Sequence, residues 1–340
     1  MVDLAVRWRA GLPRVALYLI ALAILHAASA GQPMPPLATQ ATQEHSTPTF
    51  AGAGGQLSTD IHTSSVRVGV DLVLVPVTVV DAKNQPVTNL EEDNFVIYED
   101  EKQQAIRYFS KDDQPISVGL ILDLSSSMSS KIGRERAAVS EFLKSANSQD
   151  DYFVIGVSSR PRIVSDSTKS ADRIEAKLAL ETPQGTTALL DAVYLALSKM
   201  RSAQYERRAL LIISDGGDNN SRYRLKQIKE LAEEADVQIY AIGLFDTALF
   251  KPFEELMGKK WLEEITDATG GRTLVLDNLD RLSEAAASIS WELRNQYQIA
   301  YRPEKPGQRK RKRVIKVKVV PSRNPALHLA YKKSYFVPAE

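Results

Sequence analysis

Residues 116–127 read ISVGLILDLSSS, an apolar run that ends in an aspartate and a serine-rich step. A strand covered on both faces has this texture, because polar and apolar residues stop alternating when neither face meets water. Runs of the same kind stand at 153–157, 209–213, 237–242 and 273–276. Between them the apolar period lengthens to three or four residues. Leu189, Val193, Ala196 and Met200 mark one helical face, and Leu282, Ala286, Ile289 and Leu293 another. Strand and helix alternate five or six times, which predicts a doubly wound, mostly parallel α/β sheet with right-handed crossovers. Such sheets carry their ligand sites at the carboxyl ends of the strands.

At the carboxyl end of the first central strand, Asp123, Ser125 and Ser127 occupy alternate positions, so an extended backbone turns their three oxygen-bearing side chains the same way. The run ALLIIS at 209–214 ends likewise in Asp215-Gly216-Gly217, and Gly185-Thr186-Thr187 opens the helix that begins near Ala188. The order D-x-S-x-S, then G-T before a helix, then S-D-G after a buried strand resembles a von Willebrand factor type A domain, over roughly residues 114–295. In that family the three segments make up a metal-ion-dependent adhesion site. The resemblance implies Ser125, Ser127 and Thr186 as hydroxyl ligands, with Asp123 and Asp215 as carboxylates that often act through bound water. Thr187 replaces Thr186 if the loop register differs by one. The sequence departs from the family at Gln184, where many members have a further Gly. A donor set of hard oxygens suits Mg²⁺, with Mn²⁺ or Ca²⁺ as alternatives, and the lack of His and Cys ligands argues against zinc. The expected function is cation-dependent binding of a protein partner, whose own acidic residue completes the coordination.

Outside this α/β stretch, the chain ends are rich in β-formers. Strands are expected at 68–80, 95–98 and 105–109, and again at 297–301, 314–320, 327–331 and 334–337. Neither set is a comfortable sandwich alone, so the two ends are expected to pair. The flanking strands resemble bacterial exported proteins in which a von Willebrand factor type A domain, itself Rossmann-like, is inserted into a small β-sandwich. The expected boundaries are 67–112 plus 297–340 for the sandwich and 113–296 for the inserted domain. Ahead of them, Arg7, Arg9 and Arg14 precede an apolar run at 15–25 and Ala28-Ser29-Ala30, the pattern of a secretory signal cut after residue 30. That run is shorter than the roughly 20 residues that span hydrocarbon, so no stable membrane span is expected after cleavage. Residues 31–66 hold Pro33, Pro35, Pro36 and a Gly-rich run, and read as a flexible tether. The expected location is secreted or periplasmic, at the cell envelope.

The composition sets further bounds. The 340 residues are 44% hydrophobic and 25% charged, as in an ordinary globular protein, and the net charge of +1 supplies no field for nucleic acid. The absence of Cys excludes disulfides and thiolate chemistry. No His falls in the α/β stretch, and G-x-S-x-G, H-E-x-x-H and the P-loop pattern are all missing, so the chain reads as a non-enzyme. Two alternatives remain. One is a Mg²⁺-dependent phosphoryl-transfer hydrolase with Asp123 as nucleophile, although such enzymes usually carry an acid two positions later, where this chain has Ser125. The other is a structural envelope protein whose metal site binds no partner. Asp218 reads as a solvated loop residue with Asn219 and Asn220, and Asp191 as a helix-start acid outside the site. The basic run from Arg309 to Arg313 reads as a solvated hairpin turn leading into a charge-protected edge strand. Tyr297, Tyr301, Tyr331, Tyr335 and Phe336 read as sandwich core and rim.

Overall fold

The computed structural model describes residues 72–83, 85–245, 253–303, 312–320 and 327–337. The expected signal and tether lie outside the described residues, as do Asn84, Arg309, Lys310 and Arg311. Among the described residues the first four strands are β1 (Val73–Val80), β2 (Phe95–Glu99), β3 (Lys102–Gln104) and β4 (Ile106–Ser110). The α/β part follows as β5 (Ser117–Asp123), α1 (Ile132–Lys144), β6 (Asp151–Val157), β7 (Arg162–Thr168), α2 (Ala171–Ala179) and α3 (Leu189–Met200). It continues with β8 (Arg208–Ser214), α4 (Leu225–Ala235), β9 (Gln238–Leu244), α5 (Phe253–Thr269), β10 (Thr273–Leu276) and α6 (Leu282–Arg294). The last strands are β11 (Tyr297–Tyr301), β12 (Lys312–Val319), β13 (His328–Ala330) and β14 (Ser334–Phe336).

The central sheet has the order β10-β9-β8-β5-β6-β7, parallel except for the last pair. Along β5, alternate side chains leave on opposite faces. Val118, Leu120 and Leu122 enter a core with Ala138 and Phe142 of α1, Ile174 of α2 and Ile289 of α6. Ile121 enters a second core with Leu189 and Val193 of α3, Ile228 of α4 and Leu262 and Ile265 of α5. Each buried Leu or Ile contributes about 1.5–3 kcal/mol of transfer free energy, so both helical layers are held by burial rather than by local propensity.

Two antiparallel sheets, β13-β1-β11-β4 and β14-β12-β2-β3, draw strands from both flanks of the α/β part. Val75, Val77, Tyr297, Ile299 and Tyr301 of the first sheet meet Phe95, Ile97, Ile315 and Val317 of the second in one apolar core, so the sheets form a sandwich. The expected edge strand after the basic run is corrected here. β12 lies inside its sheet, between β14 and β2, because Ser334–Phe336 pairs with its first three residues. Arg313 is not a solvated turn residue either. It pairs with Glu99, a 3% exposed carboxylate that also accepts hydrogen bonds of 2.7 Å from the hydroxyls of Tyr301 and Tyr335. A buried carboxylate needs a counter-charge, and this pairing supplies one.

Between the sandwich and the α/β part lies a polar joint. The Gln296 amide, just ahead of β11, donates to the Thr78 hydroxyl of β1 at 3.3 Å and to Gln238 Oε1 of β9 at 2.9 Å. Lys332 reaches Asp236 at 2.6 Å and Lys312 reaches Glu233 at 2.7 Å.

Candidate functional site

The neighbouring parallel strands β5 and β8 run in register, so their carboxyl ends arrive side by side, Leu122 opposite Ile213. The next residues are Asp123 and Ser214-Asp215. Asp123 is fully buried, and both of its carboxylate oxygens are engaged. Oδ1 accepts from the backbone N–H of Ser125 at 3.0 Å, and Oδ2 accepts from the Ser214 hydroxyl at 2.7 Å. The first bond bends the chain just past the strand and turns Ser125 inward, where its hydroxyl lies 3.0 Å from that of Ser127. Three of the five expected site residues therefore meet directly.

Asp215 joins them through its neighbours. Ser214 Oγ, the donor to Asp123, accepts from the N–H of Gly216 at 3.0 Å, and Asp215 Oδ1 accepts from the N–H of Gly217 at 3.2 Å. Gly216 has φ of +75°, a left-handed value that glycine adopts without cost. Burial pushes the Asp123 carboxyl above its ordinary range, and the negative charge of Asp215 pushes it further, against the hydrogen bonds from Ser125 and Ser214.

Thr186 is attached through its loop rather than its side chain. Ser126 N–H donates to the Gly185 carbonyl at 3.0 Å, and Gln184 N–H donates to the Leu124 carbonyl at 2.8 Å, which stitches the loop to the serine step. The Thr186 hydroxyl is exposed and donates to Ser159 Oγ at 2.9 Å. Thr187 is buried, its N–H bound to Asn219 Oδ1 at 3.0 Å.

Asp218 and Asp191 do more here than their sequence readings give them, and Glu135 and Lys131 carry no sequence reading at all. Asp218 is half-buried and accepts from the N–H of Leu189 at 3.1 Å, so it caps α3 rather than standing in solvent; burial holds its carboxyl above the ordinary range. Asp191 is 7% exposed and takes the backbone N–H groups of Arg222 and Tyr223 at 2.8 and 3.1 Å, which fixes the loop after Asp218. Glu135 on α1 is 1% exposed and accepts from the N–H of Asp123 at 3.1 Å, while its other carboxyl oxygen is buried with no hydrogen-bond partner among the described residues. Burial, then the charge of Asp123, drives the Glu135 carboxyl well above its usual value. The Lys131 ammonium stands 3.8 Å from Asp215 Oδ2. Among the described residues, no group of three or more His, Cys, Asp or Glu side chains is arranged to hold a metal ion. An ion at this place would therefore need the hydroxyls of Ser125, Ser127 and Thr186. That donor chemistry, beside two mutually repelling carboxylates, fits a hard divalent cation.

Similar folds include BatB of Bacteroides thetaiotaomicron, at 18% identity over 52% of this chain and 98% of that one, with a TM-score of 0.41. The vWF domain of the type V pili tip protein Mfa5 from Porphyromonas gingivalis gives 13% identity over 52% and 94%, with a TM-score of 0.43. The pilus adhesin SpaC of Lactobacillus rhamnosus GG gives 13% identity and a TM-score of 0.45 over 63% of this chain, which spans only 36% of the adhesin. No curated protein matches the sequence. The sequence model of the von Willebrand factor type A domain matches residues 118–217, a span that runs from the second residue of β5 to the loop after β8. That span contains all three site loops, and residues 118–217 of this chain belong to the von Willebrand factor type A family.

Proposed function

We propose that this chain is an exported protein-binding module that holds its partner through a divalent cation, Mg²⁺ first and Mn²⁺ or Ca²⁺ as alternatives. The observation that carries the reading is the meeting of Asp123, Ser125 and Ser127 at the end of β5 with Asp215 at the end of the adjacent β8, and with the Thr186 loop bound to Ser126. Ser125, Ser127 and Thr186 would hold the ion directly, and Asp123 and Asp215 would balance its charge. Once bound, such an ion offers a coordination position that a carboxylate of the partner fills. Neutral hydroxyls leave the ion more of its charge than carboxylate ligands would, which favours an acidic partner group. The adhesion and pilus functions named for Mfa5 and SpaC are in keeping with this reading. Export is supported by the basic, apolar and small-residue pattern of residues 1–30. Ser125 in place of an acid two residues after Asp123 speaks against a phosphoryl-transfer role.

The test is affinity capture of envelope and extracellular proteins from the source cells with the purified chain. A partner retained in Mg²⁺, released by EDTA, restored by added Mg²⁺ and missing with Asp123→Ala is the expected outcome. Capture indifferent to both EDTA and the substitution would sink the mechanism.

A further inference from the structure

The loop that carries Asp215 touches the backbone of a helix. A Cβ on Gly258 of α5 would lie 2.0 Å from the Gly216 carbonyl oxygen and 2.4 Å from its carbon, and a Cβ on Gly216 would lie 2.9 Å from the Gly258 carbonyl carbon. Two main chains thus meet with no side chain between them, and neither glycine has room for a methyl group. Gly216 is also the residue whose N–H binds Ser214 Oγ, the hydroxyl that in turn donates to Asp123. On its other side, Gly217 N–H binds Asp215. The place where α5 abuts the loop is therefore two hydrogen bonds from the Asp123 carboxylate and next in the chain to the N–H that binds Asp215. α5 itself is anchored in the core through Leu262 and Ile265, so it is a fixed wall rather than a loose neighbour.

We infer that Gly258 is a positioning residue for the cation site: the seating of α5 against Gly216 sets the spacing of Asp123 and Asp215, and cation binding in turn tightens α5. The inference rests on the metal reading above. Coupling of this kind is reciprocal, so a helix that shapes the site must also feel its occupation. Supporting contacts around metal ligands typically govern roughly 10- to 100-fold in affinity, which is the range expected here.

Isothermal titration with Mg²⁺ alone, on the full chain, compares wild type, Gly258→Ala, Asp123→Ala and Gly133→Ala. Gly133 lies on α1 with no atom within 4 Å of an added Cβ, and serves as the helix control. Alanine is the better helix former, so propensity alone would stabilise Gly258→Ala; an affinity loss would run against that trend. The expected result is wild-type affinity in Gly133→Ala and a loss of roughly 10- to 100-fold in Gly258→Ala. A second measurement needs no variant at position 258. Amide exchange over α5 in wild type should slow when Mg²⁺ is added, and should not respond in Asp123→Ala. If wild type binds no Mg²⁺, the metal reading falls and this inference with it. If wild type binds but Gly258→Ala binds equally well, or α5 exchange ignores the ion, this inference alone is overturned.

Discussion

At the residue scale, the balance of charge at the site turns on one lysine. Lys131 holds its ammonium 3.8 Å from Asp215, on the carboxylate expected to face a cation. A unit charge at this distance is worth about 1 kcal/mol in a water-like medium and more in a drier one. Lys131→Gln is therefore expected to strengthen Mg²⁺ binding by about fivefold or more by that measure, which titration calorimetry reads directly; unchanged or weaker binding would show that the ammonium does not compete. Asp123, Ser125 and Ser127 were legible because extended backbone turns alternate residues one way, and that spacing needs no tertiary information. Glu135 was not singled out, although it stands on the apolar face of α1 at the helical spacing Ile132, Glu135, Val139, Phe142. An acid on a buried stripe was the available signal. Asp218 gave no such signal, since only the folded loop shows that its carboxyl caps α3.

At the element scale, buried strands declared themselves and polar ones did not. β5, β6, β8 and β9 are apolar through their middles and buried along nearly their whole length, and were read from the sequence with boundaries close to those observed. β7 was missed because it is a polar edge strand that makes an antiparallel hairpin with β6. β3 was missed because its hairpin turn uses Asp100 and Glu101 at positive φ, where the usual turn signal is a glycine. Ion pairing also acts at this scale. Arg272, just before β10, clamps α6 through Glu292, with one contact of 3.1 Å, and Glu292 is 1% exposed. Burial already holds the Glu292 carboxyl above its ordinary value of 4.5. The stability tied to its protonated form is thus complete below that value and is lost as pH rises through the folded one. Arg272→Met, which strands the carboxylate, is expected to cost about 3–5 kcal/mol at neutral pH. The deficit should shrink on acidification towards the ordinary carboxylate range. Urea unfolding at pH 5 and pH 8 checks this, and equal deficits at the two values would contradict it.

At the scale of the whole molecule, the α/β part carries two apolar cores of its own, and the sandwich a third. A fragment of residues 113–296 is therefore expected to unfold cooperatively on its own, at a lower midpoint than the full chain because it loses the contact of Gln296 with Thr78 and the pairing of Lys332 with Asp236 and of Lys312 with Glu233. Thermal unfolding followed by circular dichroism decides the matter; a fragment without a cooperative transition would make the two parts a single folding unit. The chain leaves the sandwich on β4 and returns on β11, and these are paired neighbours with Ser110 opposite Gln298. Exit and re-entry are thus separated by one ladder rung, about 5 Å. To the sandwich, everything between them is equivalent to a very long hairpin loop. Any cassette whose termini lie that close could be grafted at the same rung without moving a strand, so the recognition end of the molecule is free to diversify while its base stays the same.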